Sequence, residues 1–361
     1  MPGVEEGIPY RADDLETFAM RLFMACGVSE EDARLTAHSL VVANLRGVDT
    51  HGVTRVLVPY VRRLQHGVTR AQTQITVVRE SPSTALVDGG NSIGQVVATR
   101  AMLRCIEKTA KTGAAWVAVR HSNHFGTAAF YAMMALEHNF IGMVMTNGIA
   151  SVAPTGGRAA MLSTNPIAFA IPAGKQPPVV VDMATTVVAR GRIMLYAKQG
   201  LPIPLGWALD ERGLPTTDAQ AALRGTLLPM AGYKGYALSL VIDLLAGVMS
   251  GALFGAHFHG PLAEDFEHPM DVGHIFAALD PSCFLPLEEF HKRMDQALAE
   301  LRACPPAEGS EGVLIPGDIE RNTMAQRLQE GIPLPQIVVE EFIALAEEMH
   351  VPFPDPLEAT A

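Results

Sequence analysis

Charged side chains are scarce in this sequence. Asp, Glu, Lys and Arg make up only 18% of its 361 residues, whereas hydrophobic residues make up 48%. Disordered chains have the opposite balance, so the composition predicts a globular protein with a large core. The 27 basic residues, against 38 acidic ones, form no basic block, and the net charge is −11. This argues against nucleic-acid or anionic-membrane partners, although a small anion can still bind in a local positive pocket.

Cysteine is rare as well. The four cysteines are scattered with no CxxC spacing, at Cys26, Cys105, Cys283 and Cys304. This pattern argues against a disulfide framework or a zinc site and favours a reducing compartment. The first residues, MPGVEEGIPYRADD, lack the basic region and apolar run of a signal peptide. We therefore expect a cytoplasmic protein.

Long hydrophobic runs are nearly missing too. The segment 235–258 has Asp243 as its one charged residue and His257 as its one histidine, and it is apolar and long enough to resemble a membrane span. Lys234 and Asp243 lie against or within it, and charged residues inside hydrocarbon are costly. A buried apolar helix over 233–251 is the favoured interpretation.

Several catalytic motifs are not found. The nearest approach to GxGxxG, Gly89-Gly-Asn-Ser-Ile-Gly94, has the wrong spacing, so a standard Rossmann fingerprint is missing. GxxxxGK[ST], HExxH and GxSxG do not occur either. P-loop phosphoryl transfer, zinc proteolysis and α/β-hydrolase chemistry are therefore disfavoured. A dehydrogenase is not excluded, because several folds bind nicotinamide cofactors.

Glycine and proline, by contrast, are abundant, and they separate predicted helices and strands that follow one another in a regular order. Both ends of the chain read as helices and the middle alternates strands with helices, which predicts an α/β unit with a helical domain built from both termini. The domain boundaries are 1–80 together with 285–361 for the helical part and 81–284 for the sheet. Predicted helices cover 13–26, 29–46, 53–65, 93–112, 125–138, 185–199, 233–251, 286–303, 318–329 and 335–349. Predicted strands cover 84–87, 114–119, 141–146, 168–171, 179–181 and 275–279, with a turn and loop over 207–217.

The first polar constellation is Asp49-Thr-His-Gly-Val-Thr-Arg55, at the junction of the second and third helices. If the third helix starts near Gly52, His51 lies at its amino-terminal mouth and Arg55 about one turn on. Imidazole carries protons near neutral pH, and guanidinium binds a carboxylate through two parallel hydrogen bonds. The alternative is a capping Thr50 and a surface arginine.

The second constellation is Arg120-His-Ser-Asn-His-Phe-Gly126, which follows an apolar strand and opens a helix. Ligands of α/β proteins collect at the carboxyl ends of strands, and main-chain N–H groups at a helix start attract anions. His121 and His124 could also bind a metal, but no Cys, Asp or Glu accompanies them in that stretch. Histidines that only cap the helix are the remaining alternative.

Three further polar turns lie against buried segments. Ser163-Thr-Asn-Pro166 precedes a strand, and the next strand leads into Asp182, suited to a ribose hydroxyl, and Thr185, suited to a phosphate. Lys234, flanked by glycines at a helix start, suits a phosphate contact, and Arg321 follows Ile315-Pro-Gly-Asp at another helix start. Each is also compatible with an ordinary helix cap.

Together these segments resemble the malate/L-lactate dehydrogenase family of the type 2, non-Rossmann kind. Its members include sulfolactate, ureidoglycolate and diketogulonate dehydrogenases and reductases of piperideine-2-carboxylate and pyrroline-2-carboxylate. The resemblance runs over about 12–350 and is carried by DTHGVTR, VRHSNHFGTAAFYA, APTGG, STNPIAFAIP, VVDMATT, ARGR, IPLGWALDERGLPTTD, GYKGYAL and IPGDIER. It implies a central mixed sheet that binds the cofactor, NADP or NAD, and a homodimer with the active site near the subunit interface.

The resemblance assigns roles residue by residue and implies no metal. His51, with Thr50 beside it, matches the family's proton donor and acceptor, and Arg55 matches the group that holds the substrate carboxylate. His124 matches a second active-site histidine, which is the base in some relatives, and Thr164 falls where a substrate contact is expected. The cofactor-binding segments match His121, Ser122, Asn123, Phe125, Asp182, Met183, Ala184, Lys234, Gly235, Pro316, Gly317 and Asp318.

Two positions depart from the family pattern. Many members have serine where this chain has Thr50, whose extra methyl narrows the site. Some imine reductases have aspartate where this chain has Arg192. The basic residue favours a hydroxy-acid substrate, and it can equally bind a second carboxylate or a cofactor phosphate.

The expected function is hydride transfer between a nicotinamide cofactor and a small 2-hydroxy or 2-oxo acid of the malate or lactate kind. The alternative is NADPH-dependent reduction of a cyclic imino acid, which needs the same carboxylate anchor. A third hypothesis is a catalytically silent protein that binds small anions. The substrate, its stereochemistry and the choice between NAD and NADP stay open at this point.

Overall fold

A mixed sheet of seven strands lies at the centre of the computed structural model, which describes residues 7–357. Residues 1–6, the first part of the segment that lacks signal-peptide features, and residues 358–361 lie outside this description. The strands are β1 (Ile8–Tyr10), β2 (Thr76–Glu80), β3 (Thr84–Asp88), β4 (Ala114–Ser122), β5 (Ile141–Thr146), β6 (Ile167–Ile171), β7 (Val179–Met183), β8 (Ala208–Leu209), β9 (Pro215–Thr216), β10 (Thr226–Leu227), β11 (Val272–Leu279) and β12 (Ile332–Leu334).

Helices surround this sheet. They are α1 (Ala12–Ala25), α2 (Glu30–Leu45), α3 (Val53–Gln65), α4 (Gly94–Thr112), α5 (Ala128–Met134), α6 (Arg190–Lys198), α7 (Ala219–Arg224), α8 (Tyr233–Asp243), α9 (Leu287–Arg302), α10 (Asp318–Glu330) and α11 (Gln336–Met349). Short 3₁₀ turns cover Asp49–His51, Ala135–His138, Gly255–His257 and Pro281–Cys283.

The strand order of the central sheet is β2-β3-β4-β11-β5-β6-β7. Strands β3 and β4 run parallel and are joined by α4, whereas the other neighbouring strands are antiparallel. A Rossmann sheet is built from parallel strands, so this mixed sheet explains why the chain needs no GxGxxG turn. The prediction of a non-Rossmann α/β fold with a central mixed sheet is confirmed.

The two faces of the sheet are covered by different helices. Side chains alternate between faces along a strand, so Phe276 and Ile275 of β11 point to opposite sides. Phe276 packs in a core with α4 and α5, and Ile275 packs in a second core with Ile242 of α8. β11 is buried along most of its length because it lies mid-sheet under both layers.

The helical domain joins both ends of the chain. Its core combines residues of α1, α2 and α3 with residues of α11, including Phe18, Leu40, Leu57 and Phe342. The amino-terminal strand β1 pairs antiparallel with β12, which precedes α11. The helical part predicted from both termini is therefore present.

A smaller unit projects from the sheet between β7 and α8. Strands β8, β9 and β10 form a three-stranded sheet, and α6 and α7 pack in one core with it, which includes Ile193, Ala208 and Leu227. Within 207–217 the predicted turn is present, because Gly213 N–H donates to the Asp210 carbonyl at 2.9 Å, but it joins two strands of two residues that were not predicted. A strand of two residues is too short to show the alternation of apolar and polar residues by which strands are predicted.

Several predicted boundaries are also wrong. The helix predicted from residue 125 begins at Ala128, after a loop that turns around Gly126. The helix predicted from residue 185 begins at Arg190, because the main-chain N–H and hydroxyl of Thr185 both donate to the Thr164 carbonyl instead. Strand β2 is not among the predicted strands. It lies at the sheet edge and is exposed along its whole length, so it lacks the buried face on which the strand predictions depend.

The apolar helix predicted over 233–251 is in two parts. After α8 the chain continues as a π-helical turn, Leu244–Met249. Its inner side, with Ile242 and Ala246, packs on the sheet, but Val241, Leu244 and Val248 are about half exposed. The expectation of a fully buried helix is therefore wrong for its outer face. Among residues 7–357, no helix is long and apolar enough to cross a membrane.

Candidate active site

The turn that carries His51 is fixed by buried polar contacts. Gly52 leaves room for the Asn44 side chain, because a Cβ there would lie 2.1 Å from Asn44 Oδ1. The Asn44 amide donates to Asp49 and to Thr54 at 2.6 Å each, and α10 supplies Arg327, which pairs with Asp49 at 2.6 Å. His51 is thus held at the start of α3, as the sequence predicts.

His124 lies beside His51. The two imidazole rings are stacked with centroids 5.5 Å apart and planes 18° apart. The Thr50 hydroxyl lies 3.0 Å from Nδ1 of His51, and the Tyr60 hydroxyl hydrogen-bonds to Nδ1 of His124. The first two predicted constellations therefore form one site, 73 positions apart in the chain.

Both histidines are neutral at neutral pH. Burial, together with the positive charge of Arg55, lowers the pKa of His51 to about 4. Burial lowers the pKa of His124 to about 3, and the neighbouring His51, His274 and Arg55 act in the same direction. The site therefore disfavours positive charge until an anion enters it.

Arg55 is one turn along α3 from His51 and is exposed. Its Nη2 lies 3.8 Å from the Met194 sulfur, and its Cζ lies 3.7 Å from the place a Cβ would take on Gly191. The first turns of α6 therefore border the guanidinium. Arg192 on the same helix lies over the Trp207 ring instead, with Cζ 6.0 Å from the ring centroid.

The third and fourth polar turns are joined through the main chain. The Thr164 carbonyl accepts from the N–H and the hydroxyl of Thr185 at 2.8 Å each, and the Thr185 carbonyl accepts from Met230 N–H at 2.9 Å. Gly235 donates to Met230 at 3.1 Å, and a Cβ on it would lie 2.2 Å from that carbonyl oxygen. Lys234 is exposed at the start of α8, next to this close contact.

The end of β7 lies beside the predicted segment 316–318. Val180 N–H donates to the Pro316 carbonyl at 3.0 Å, and Gly317 adopts φ +99° against Val180. The Asp182 carboxylate accepts from Ala129 N–H at 2.8 Å, where α5 begins. Burial of the carboxylate group raises the pKa of Asp182 to about 6, although the residue as a whole is exposed. Met183 is exposed and Ala184 half-buried at the same strand end.

Some of the residues predicted to bind the cofactor have side chains that contact other protein residues. His121 pairs with Asp88 at 2.8 Å, and the Ser122 hydroxyl bonds to His274 at 2.9 Å. The Asn123 amide donates to the Ser92 carbonyl at 2.8 Å. The Phe125 ring stacks on His274 with centroids 4.4 Å apart. These side chains shape the loop that carries His124.

Asp318 is likewise buried and fully paired. It accepts from Arg302 at 2.6 and 2.9 Å and from Arg321 at 2.8 Å, and this lowers its pKa far below the usual range. Arg321, expected from sequence to reach an anion, is thus already paired. A ligand that binds the segment 316–318 would therefore contact its main-chain atoms.

Sequence reasoning missed Tyr60, Gln95 and His274. Tyr60 lies on the buried face of α3 and receives a hydrogen bond from the Gln95 amide at 3.0 Å. His274 is fully buried within the apolar strand β11. The sequence does contain a signal for these residues, namely a polar side chain within an otherwise apolar run. Buried Tyr and His side chains need hydrogen-bond partners, so such a position indicates a buried polar contact. Among the described residues, no group of His, Cys, Asp or Glu side chains could hold a metal ion.

A histidine pair lies beside an exposed arginine, next to a non-Rossmann mixed sheet, and side chains of these types suit a small carboxylic acid and a proton transfer. The model of the malate/L-lactate dehydrogenase family matches residues 10–343, and the chain belongs to that family. It is 40% identical to a malate dehydrogenase of Pyrococcus abyssi over 94% of both chains. It is 41% identical to the L-sulfolactate dehydrogenase of Methanothermobacter thermautotrophicus, over 91% of this chain and 94% of that one.

Solved structures agree with this assignment. The sulfolactate dehydrogenase of Methanocaldococcus jannaschii superposes with a TM-score of 0.90 at 36% identity, over 97% of this chain and 100% of that one. A Δ1-piperideine-2-carboxylate reductase of Pseudomonas syringae superposes with a TM-score of 0.84 at 29% identity, over 94% and 99%.

The names of two relatives state different cofactors. The ureidoglycolate dehydrogenase of Escherichia coli K12, 33% identical over 85% of this chain and 87% of that one, carries NAD(+) in its name. The (2R)-3-sulfolactate dehydrogenase of Chromohalobacter salexigens, 34% identical over 92% and 96%, carries NADP(+).

Proposed function

We propose that this protein is an NAD(P)-dependent dehydrogenase of a small 2-hydroxy acid of the malate, lactate or sulfolactate kind, working in either direction. The observation that carries the proposal is the placement of His51, His124 and Arg55. A proton carrier and a carboxylate anchor lie one helical turn apart, as a 2-hydroxy acid requires.

The roles of these residues follow from their chemistry. Arg55 is exposed and binds the substrate carboxylate through paired, charge-assisted hydrogen bonds. That carboxylate offsets the Arg55 charge, which raises the pKa of His51 and lets it exchange a proton with the substrate oxygen. Thr50 orients the His51 ring through its 3.0 Å contact. Thr164 and Arg192 are proposed as further substrate contacts.

The residues near the end of β7 fit a nicotinamide dinucleotide. The exposed Lys234 ammonium suits a phosphate, and the Asp182 carboxylate suits ribose hydroxyls. A Cβ on Gly317 would lie 3.1 Å from Val180, so the chain there stays close to β7 and leaves main-chain groups at the edge. When bound, the nicotinamide supplies or accepts the hydride at the substrate C2. We assign the contacts to His121, Ser122, Asn123, Phe125, Asp182, Met183, Ala184, Lys234, Gly235, Pro316, Gly317 and Asp318.

The substitution His51→Asn tests the proposal. NADH and NADPH oxidation is measured with pyruvate, oxaloacetate and sulfopyruvate, and turnover of the best substrate is expected to fall by about 10²–10⁴-fold because the proton carrier is lost. Cofactor binding, followed by nucleotide fluorescence, is expected to persist. The control is His38→Asn, since His38 is an exposed histidine that pairs with Glu16. Near-normal turnover of His51→Asn would overturn the role.

Reduction of a cyclic imino acid is the second candidate. It is favoured by the similarity to the piperideine-2-carboxylate reductase, and it uses the same anchor at Arg55. Parallel NADPH assays with a 2-oxo acid and with piperideine-2-carboxylate separate the two candidates. The proposed function is contradicted if only the imino acid is reduced. A protein that only binds small anions would oxidise neither cofactor with any of these compounds.

We further propose a homodimer with its active site near the interface. The outer face of α8 and its π-helical turn carries Val241, Leu244, Val248 and Met249, all between 46% and 56% exposed. Within 241–249 the charged residue is Asp243, and it is buried, whereas Lys234 lies at the opposite end of α8. An uncharged apolar face of this kind is typical of a surface that a second protein chain covers.

The domain division and location are proposed on related grounds. Residues 1–80 with 285–361 form the helical domain, and 81–284 form the cofactor-binding sheet domain, although β2 at 76–80 already pairs within the sheet. The four cysteines are free thiols, which supports a reducing, cytoplasmic location.

A further inference from the structure

The ring of His124 is oriented by three groups on one side. Its Nδ1 receives the main-chain N–H of Gly126 at 3.4 Å and bonds to the Tyr60 hydroxyl. The Gln95 amide in turn donates to the Tyr60 oxygen at 3.0 Å. Gln95 is fully buried and Tyr60 nearly so, so both are fixed by packing as well as by these bonds.

These contacts decide which nitrogen carries the proton. A main-chain N–H can only donate, so the Gly126 contact requires a lone pair on Nδ1 of His124. The Tyr60 oxygen already accepts from Gln95, and its own proton is shared between the same Nδ1 and the main-chain carbonyl of His124, whose oxygen lies 3.2 Å from the hydroxyl. A neutral His124 must then carry its hydrogen on Nε2.

The other nitrogen of the His124 ring is accessible to solvent. Among residues 7–357, Nε2 of His124 has no protein hydrogen-bond partner, yet it is not among the buried unpartnered atoms, so it keeps access to solvent. The ring is stacked on His51, which places this N–H beside the proposed proton carrier. A neutral imidazole in this position donates a hydrogen bond to a substrate oxygen.

We propose that Tyr60 is a positioning residue that holds His124 as its Nε2–H tautomer, so that His124 serves the reaction as a hydrogen-bond donor to the substrate oxygen and not as its base. The inference rests on the proposed function. His51 exchanges the proton with that oxygen, and His124 keeps its Nε2 proton throughout, so one proton and one hydride account for the reaction.

The first test needs no variant. Protein labelled with ¹⁵N-histidine and saturated with NADH is observed by ¹H–¹⁵N correlation of the imidazole rings, with and without oxamate as a 2-oxo acid analogue. His124 is expected to show an unprotonated Nδ1 and a protonated Nε2 at neutral pH, in both states. An Nδ1–H tautomer, or an imidazolium when oxamate is bound, would overturn the proposal.

The second test is Tyr60→Phe, which keeps the ring and removes only the hydroxyl. We expect kcat to fall by about 10- to 100-fold with little change in the KM for the nucleotide, and the His124 signals to become a mixture of tautomers. The control is Tyr131→Phe, which removes another buried hydroxyl, the one that donates to the Phe125 carbonyl. It is expected to lower stability but to leave the His124 tautomer unchanged.

The outcomes separate this inference from the proposed function. Wild-type kcat and tautomer in Tyr60→Phe contradict the positioning role while the dehydrogenase activity stands. If no 2-hydroxy or 2-oxo acid reacts, the proposed function fails, and the ring spectrum of the wild-type protein still reports whether Tyr60 sets the tautomer.

Discussion

At the residue scale, Arg55 and His51 are coupled through charge. Burial of the ring lowers the pKa of His51, and the Arg55 guanidinium lowers it further, so the free protein holds an unprotonated imidazole well below neutral pH. An unprotonated imidazole is the form that accepts a proton from a hydroxy acid. The same pair thus provides the anchor for the substrate and sets the pH range over which the proton carrier works.

The substitution Arg55→Gln tests both effects. It removes charge-assisted bonds to the carboxylate worth about 1.5–3 kcal/mol, so the KM for the acid is expected to rise by about 10- to 100-fold. Arg34→Gln, which removes an exposed arginine paired with Glu30, serves as the control. An unchanged KM for the acid would remove Arg55 from the carboxylate site.

The pH profile of oxidation is a separate measurement on the same variants. In the wild-type protein, kcat/KM for the hydroxy acid is expected to be constant from pH 7 to about 5 and to fall below about 4, where His51 becomes protonated in the free enzyme. In Arg55→Gln this acid limb moves to higher pH, because the charge that lowers the pKa is gone. Circular dichroism at each pH verifies folding. A limb at the same pH in both proteins would contradict the coupling.

At the scale of elements, helix α4 presses directly on the loop that carries His124. A Cβ on Gly94, its first residue, would lie 2.3 Å from the His124 carbonyl oxygen and 2.4 Å from that of Asn123. These are main-chain atoms held by the sheet on one side and by Tyr60 on the other. The position of the loop that carries His124 therefore depends on a glycine of α4.

The substitution Gly94→Ala is expected to destabilise the protein by about 1–3 kcal/mol, because the loop must move to admit a methyl group. Thermal unfolding measures the loss, and kcat is expected to fall in parallel as His124 is displaced. The control is Gly148→Ala, where the nearest atom is a Ser163 hydroxyl 3.3 Å away. A wild-type melting temperature for Gly94→Ala would contradict this account of the close contact.

At the scale of the whole molecule, the apolar outer face of α8 marks the surface expected between subunits. Its side chains are distributed along the helix and its π-helical turn with no exposed acidic charge among them. Because Lys234 lies in the first turn of α8, a covered face there also brings the second subunit close to the proposed cofactor segment.

The substitution Val241→Glu tests the dimer. A carboxylate in the centre of an apolar interface is expected to shift the protein from dimer to monomer, measured by light scattering after size-exclusion chromatography. Val78→Glu on the edge strand β2 is the control, since Val78 has a similar exposure of 42% against 49% for Val241. A wild-type protein that is monomeric, or a dimer unchanged by Val241→Glu, contradicts the proposed surface.

Local patterns in the sequence predicted the class of fold and most elements, and they supplied the residues of the proposed site. Helix α3 and strand β5 have the predicted bounds, because their periodicity and length are local properties. The motif Asp49–Arg55 predicted the position of His51 at the start of α3, although Asn44 and Arg327, outside the motif, hold the turn. The segments 125–138 and 185–199 were extended too far because tertiary hydrogen bonds, such as that of Thr185 with Thr164, outcompete helix formation there.

Only the tertiary structure decided which polar residues meet. His51 and His124 stack although 73 positions separate them, and Tyr60, Gln95 and Gly126 together orient one ring. Asp318 pairs with both Arg302 and Arg321, and the local spacing of Asp318 and Arg321 could not distinguish this arrangement from a free anion site. The physical reason is that pairing and burial depend on distances across the fold, and these set pKa values and tautomers that no local pattern contains.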